Sequence, residues 1–156
     1  MRYQSTAADS VTNLAKRVGR SEISMKTKTL LMLSSSIEFV TGLALIAAPG
    51  LVANVLLSAG LAPGGQATAR VGGIALVSLA IACWPRGEVE HAQPVVALFL
   101  YNLLAAFYLG YLKIGGEFST FLLLTASALH GLLALLFARP AYGSVIVHDP
   151  KVFSGE

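Results

Sequence analysis

The stretch TLLMLSSSIEFVTGLALIAAPG, residues 29–50, decides the fold class of this chain. It is mostly apolar, contains one ionisable residue, Glu38, and ends at Pro49-Gly50, a pair that typically terminates a helix. An α-helix needs about 20 predominantly apolar residues to cross the roughly 30 Å hydrocarbon core of a bilayer. We therefore predict a first membrane-spanning helix over residues 29–48.

Three further apolar stretches have a similar length and predict further spans, at residues 66–84, 94–113 and 118–138. Residues 51–61 are apolar but too short to cross, so we predict an interfacial or folded-back helix between spans one and two. The predicted fold is an all-α integral membrane four-helix bundle. The predicted divisions are an N-terminal segment 1–27 with a short surface helix over 11–18, a bundle 28–139 that stops at Arg139-Pro140, and a tail 140–156.

Composition excludes the main alternatives to a helical membrane protein. The chain has 156 residues, of which 55% are hydrophobic and only 12% are charged, whereas soluble domains carry about 25% charged residues. The apolar stretches do not alternate with polar residues, as the strands of a membrane β-barrel do. The net charge of +3 comes from basic residues without interleaved aromatics, so nucleic-acid binding is not expected.

The distribution of Lys and Arg predicts the orientation in the membrane. Cytoplasmic loops of membrane proteins are enriched in these residues near the ends of the spans. With both termini in the cytoplasm, Lys113 is the only basic residue in an outside loop, and Arg70 lies within span two. The sequence does not distinguish Met1 from Met25 as the first residue of the protein. The remaining nine of the 11 basic residues fall inside: Arg2, Lys16, Arg17, Arg20, Lys26, Lys28, Arg86, Arg139 and Lys151.

Each predicted span carries one strong polar residue: Glu38, Arg70, Asn102 and His130. A charged group at bilayer depth costs from about 2.5 kcal/mol upward, so such residues usually face inward and pair. At a rise of about 1.5 Å per residue, Glu38, Asn102 and His130 fall at a similar depth. Arg70 falls some two turns away, with a side chain long enough to reach back. We predict a core polar network of these four residues, with Arg70 as the counter-ion of Glu38.

Two interpretations of this network remain open, besides the alternative that the four residues are scattered toward the lipid and form no network. In the structural one, the Glu38–Arg70 ion pair fixes helix register, and Asn102 and His130 satisfy the remaining donors and acceptors. In the functional one, Glu38 and His130 form a proton relay, an ion site or a small-ligand pocket, because a carboxyl and an imidazole at low dielectric can exchange a proton.

Motifs for catalysis or for a cofactor are not present in the sequence. There is no G-x-S-x-G nucleophile turn, and Glu38 with His130 supplies too few ligands for a metal. The single cysteine, Cys83, permits no intrachain disulfide or thiolate metal site. We expect no metal and no cofactor, and a non-enzymatic protein is favoured over an enzyme. Tyr101, Tyr108 and Tyr111 fall near one helix face, where packing or a quinone or sterol pocket would use them.

Several stretches carry a resemblance to a known family: EFVTGLALIAAP (38–49), ARVGGIAL (69–76), ACW (82–84), LYNLLAA (100–106) and LH (129–130). Across residues 26–138 the chain resembles small bacterial four-span membrane proteins of the DoxX and DUF4345 groups. The resemblance implies a four-helix bundle in the bacterial inner membrane, and DoxX-like proteins are associated with membrane redox partners.

These observations favour a structural or partner-binding membrane component with a buried polar core. The alternatives are a proton-coupled or small-ligand carrier that uses Glu38 and His130, and a quinone-linked redox accessory. The expected partners are the lipid bilayer, a membrane protein partner or a second copy of the chain, and a lipid or quinone-like ligand.

Overall fold

The protein is an all-α bundle. A computed structural model describes the backbone of residues 3–86, 92–116, 118 and 120–146. Within these ranges the chain forms five helices and no strand. Four segments are long and apolar enough to cross a membrane: Met25–Ala47, Pro63–Ala82, Gln93–Ile114 and Phe121–Gly143. The predicted fold class is confirmed. The helices are α1 Tyr3–Ala47, α2 Pro49–Leu57, α3 Pro63–Ala82, α4 Ala92–Ile114 and α5 Phe121–Ile146.

A proline separates the first span from the short helix α2. Ala48 leaves the helical region, with φ −141° and ψ 60°, and Pro49 begins α2. The proline ring disfavours the helical conformation of the residue before it, which explains a break at this position. Helix α2 packs against α1, α3 and α5, and the Thr120 hydroxyl donates to the Leu56 carbonyl. The predicted short helix therefore exists, and it folds back against the bundle.

Two helices are longer than predicted. The backbone of α1 is helical from Tyr3, without a separate helix over residues 11–18 or a break near residue 27. Helix α5 continues through Pro140 to Ile146. An internal proline removes only its own backbone hydrogen bond and kinks the helix, and such kinks are tolerated in membrane helices. The predicted divisions at residues 27 and 139 therefore do not coincide with helix ends, and residues 147–156 of the predicted tail lie outside the described residues.

The four long helices form two tightly packed pairs. Helix α1 packs mainly on α3, α4 packs mainly on α5, and the two pairs meet chiefly along α1. In the first pair the backbones touch: a Cβ added to Gly42 would lie 2.7 Å from the Gly73 carbonyl oxygen, and one added to Gly73 would lie 2.6 Å from the Gly42 carbonyl oxygen. Small residues permit this close approach of membrane helices.

An apolar core occupies one end of the bundle. This is the end at which α1 enters its spanning segment, α3 and α5 finish and α4 begins. One helical turn further along α1, the buried residues become polar, with Ser34, Ser35 and Glu38. The polar site described below therefore lies on top of this apolar layer. The apolar layer consists of Leu31, Cys83, Val95, Leu98, Phe137 and Ala141.

Candidate functional site

Glu38 is a fully buried carboxylic acid on the face of α1 that meets α4 and α5. Its exposure is 1%, and Ser34 and Ser35, about one turn earlier on the same helix, have an exposure of 0%. Phe39 and Val40 follow in the chain and lie on the outer face. Helical periodicity thus places Glu38 with Ser34 and Ser35 inside the bundle, and Phe39 and Val40 outside it.

Asn102 joins the three helices that meet at this level. Its Nδ2 donates to the Ser34 hydroxyl of α1 at 3.2 Å and to the Leu98 carbonyl of its own helix at 2.8 Å. Its Oδ1 lies 2.8 Å from His130 Nδ1 of α5. Asn102 is completely buried, and these three bonds use both its donors and its acceptor.

The bonds of Asn102 assign the tautomer of His130. Because Nδ2 donates twice, Oδ1 must be the acceptor, and His130 Nδ1 therefore carries the hydrogen of this bond. In the neutral imidazole, Nε2 then holds the lone pair. The His130 side chain has an exposure of 14%, and an imidazole can bind a second proton at this nitrogen.

The Glu38 carboxyl has no hydrogen-bond partner in the part of the chain that the structure describes. Neither carboxyl oxygen is bonded, and the buried Ser35 hydroxyl is also without a partner. His130 Nδ1 lies 3.9 Å from Glu38 Oε1, within ion-pair distance but too far for a hydrogen bond. The Tyr101 hydroxyl lies against the carboxyl, also outside hydrogen-bond geometry. An ionised carboxylate in this position would be costly without a proton or a cation beside it.

Tyr101 completes the wall around the carboxyl and the imidazole. Its ring meets that of His130 edge to face, with centroids 5.8 Å apart and planes at 81°. We call Glu38, Tyr101, Asn102 and His130 the polar cluster. Within the described residues, no group of three His, Cys, Asp or Glu side chains is placed to hold a metal ion. Two members of the polar cluster, the Glu38 carboxyl and the His130 imidazole, are groups that can bind a proton.

Arg70 does not join the polar cluster. Its side chain is exposed, and its Nε donates to the Ile46 carbonyl at 3.3 Å. Among the described residues the structure gives Arg70 no ion pair with Glu38. Ile46 lies eight residues beyond Glu38 on α1, which corresponds to about 12 Å of helix. The structure thus brings together Glu38, Asn102 and His130, and keeps Arg70 two turns away.

Tyr101 is the member of the polar cluster that the four predicted network residues do not include. The sequence places it near one helix face with Tyr108 and Tyr111, which are 62% and 70% exposed in the structure. The sequence feature that could have identified Tyr101 is its place next to Asn102. Two consecutive helix positions differ by about 100°, so both side chains can border the same interface between helices.

Comparisons with protein-family models, with curated proteins and with solved structures find no match for this chain. The resemblance to DoxX-like proteins stays a prediction from the stretches quoted above.

Proposed function

We propose that this small four-span membrane protein binds a proton in its core, at Glu38 and His130. The observation that carries the proposal is the Glu38 carboxyl, which is 1% exposed and has no hydrogen bond on either oxygen among the described residues. A network that serves packing alone is expected to satisfy its buried groups, because each unsatisfied group costs free energy. Asn102 has its hydrogen bonds, as expected of a packing network. Glu38 beside it does not.

The proton belongs to the pair rather than to one residue. With one proton present, the pair is either a neutral carboxylic acid beside a neutral imidazole, or a carboxylate beside an imidazolium at 3.9 Å. Removing that proton leaves a buried carboxylate without an ion pair to Arg70, whose Nε donates to the Ile46 carbonyl. Because the two groups are this close, they are expected to titrate together.

Such a site suits a proton-coupled membrane component. The polar cluster lies where α1 meets the α4–α5 pair, the weaker of the contacts between the long helices. A change of charge at this interface alters how strongly the two pairs attract one another, and so couples proton binding to helix movement or to a bound partner. For the location we propose the bacterial inner membrane, as the resemblance to DoxX-like proteins implies. For the orientation we propose that both termini are in the cytoplasm, supported by the bias of Lys and Arg.

Infrared difference spectroscopy of the protein in lipid nanodiscs tests the proposal. Spectra taken in acidic and in alkaline buffer should show the carbonyl band of a buried carboxylic acid that gains and loses its proton. Glu38→Gln should remove this band, because the amide has nearly the same shape but cannot titrate. His130→Gln should shift its pH midpoint, because the coupled base is gone.

The matched control is Glu22→Gln, which removes a carboxyl outside the spanning segment Met25–Ala47. It should leave the band and its midpoint unchanged. A wild-type protein without a titrating buried carboxyl, or a band that survives Glu38→Gln, would contradict the proposal.

The Asn102 bonds favour a second candidate, a structural or partner-binding component whose polar core holds the helices in register. In that case Glu38→Gln lowers the thermal stability of the bundle and no proton uptake is found. In the proton-binding case, Glu38→Gln leaves the stability unchanged or raises it, because a carboxyl without partners is replaced by a neutral amide.

A further inference from the structure

A groove runs along the outside of the α1–α3 pair, away from the polar cluster. Its volume is about 410 Å³, within the range of small-molecule sites, roughly 300–1,000 Å³. Phe39 and Val40 line it from α1, and Ala80 and Ile81 line it from α3. Ser36 also borders the groove, but its hydroxyl donates to the Met32 carbonyl. The walls of the groove can therefore contact an apolar ligand, but they have almost no group that could form a hydrogen bond with it.

One end of the groove differs chemically from its walls. Trp84 and Arg86, which follow the last turn of α3, close this end. Arg86 is exposed, and among the described residues it has no ion pair. A tryptophan and a basic residue just beyond a span are typical of the level of the lipid headgroups. The groove thus combines apolar walls at acyl-chain depth with the exposed guanidinium of Arg86 at headgroup depth.

We propose that this groove binds one anionic phospholipid, with an acyl chain along Phe39 and Ile81 and the phosphate on Arg86. A guanidinium matches a phosphate with two parallel hydrogen bonds. An anionic headgroup is favoured over a zwitterionic one because it brings no ammonium group toward Arg86. Lys26, Lys28 and Arg139 lie at the same end of the bundle. Together with Arg86 they outnumber the two acidic residues in the sequence between α3 and α4, Glu88 and Glu90, and an excess of basic residues attracts anionic lipid.

The chain itself supplies the probe for a test. Trp84 is the single tryptophan of the 156 residues and borders the groove, so its fluorescence reports what occupies that site. The protein is reconstituted with phosphatidylcholine, and increasing fractions of phosphatidylglycerol or phosphatidylcholine with brominated acyl chains are added. Bromine quenches tryptophan on contact, so the two titrations give the relative affinity of the groove for each lipid.

The expected preference for phosphatidylglycerol is about fivefold, the equivalent of ~1 kcal/mol for one basic residue at 1.4 kcal/mol per tenfold. Arg86→Gln should reduce this ratio to about one, and Arg86→Lys should keep part of it. Arg139→Gln is the matched control, since this exposed arginine lies at the same end but does not line the groove; it should keep the full preference.

Equal quenching by both lipids in the wild-type protein would overturn the proposal, as would a preference that survives Arg86→Gln. Trp84 fluorescence that resists both brominated lipids would show that something else, such as a second copy of the chain, covers the groove, and would also overturn it. None of these outcomes depends on the proton site, because Glu38 and His130 do not line the groove.

Discussion

At the scale of single residues, the polar cluster contains two kinds of buried polar side chain. Asn102 is bonded on every side, to Ser34, to Leu98 and to His130. Glu38, at the same level, has no hydrogen bond among the described residues. The first kind of side chain holds helices together, whereas the second kind is costly to ionise unless a proton or a cation is beside it. The two residues should therefore respond to substitution in opposite ways.

We expect Asn102→Leu to lower the free energy of unfolding by about 1–3 kcal/mol. The substitution leaves the Ser34 hydroxyl and the His130 Nδ1–H without their partner, and buried unsatisfied groups cost about this much. Thermal or denaturant unfolding in detergent measures the change. Asn54→Leu is the matched control, because Asn54 is exposed on α2; it should change the stability by no more than about 0.5 kcal/mol. Equal effects of the two substitutions would contradict the role of Asn102.

At the scale of helices, prolines at two positions have different consequences. Pro49 separates α1 from α2, where residue 48 leaves the helical conformation, whereas Pro140 lies inside α5. Both follow an apolar stretch, and both were expected to end a helix. The difference lies in their surroundings. Ala48 turns the chain so that α2 can pack against three other helices. At Pro140 the helix continues, and the next residue, Ala141, packs into the apolar core.

The contact between α1 and α3 depends on two glycines. Gly42→Ala should lower the stability by about 1–3 kcal/mol, because the new Cβ would lie 2.7 Å from the Gly73 carbonyl oxygen, which is backbone and cannot move alone. Gly72→Ala is the matched control on α3: no atom lies within 4 Å of its Cβ. It should leave the stability unchanged or raise it by up to about 1 kcal/mol through helix propensity. Unfolding curves that do not separate the two variants would disprove the close contact.

At the scale of the whole molecule, the chain has four spanning segments. Because this number is even, the first segment begins and the last segment ends at the same end of the bundle. This is also the end that carries Arg86 and Arg139, while the α2–α3 loop lies at the other. Because basic loops are retained in the cytoplasm, the arrangement predicts that the α2–α3 loop faces outward.

Single cysteines in a Cys83→Ser background test this orientation. A membrane-impermeant maleimide should label Gly60→Cys, in the α2–α3 loop, in intact cells. It should label Met25→Cys, at the start of the first span, only after the membrane is opened. Neither substitution changes the charge of the chain, so the bias of Lys and Arg between the two sides of the membrane is preserved. Labelling of Met25→Cys alone in intact cells would show the opposite orientation.

The class of the protein, the number of spans and the short helix after the first span could all be predicted from the sequence. These features depend on local quantities, namely the length of each apolar stretch and the residues that interrupt it. The depths of Glu38, Asn102 and His130 were also predictable, because the rise of a helix is constant.

Only the tertiary structure decided which polar groups meet. The rotation and pairing of the helices depend on packing over their whole length, such as the glycine contact of α1 and α3, and no single span encodes them. That packing carries Arg70 to the Ile46 carbonyl and places Tyr101 against Glu38. The sequence predicts an ion pair between Glu38 and Arg70. Because the structure does not form this ion pair, Glu38 is a candidate proton site.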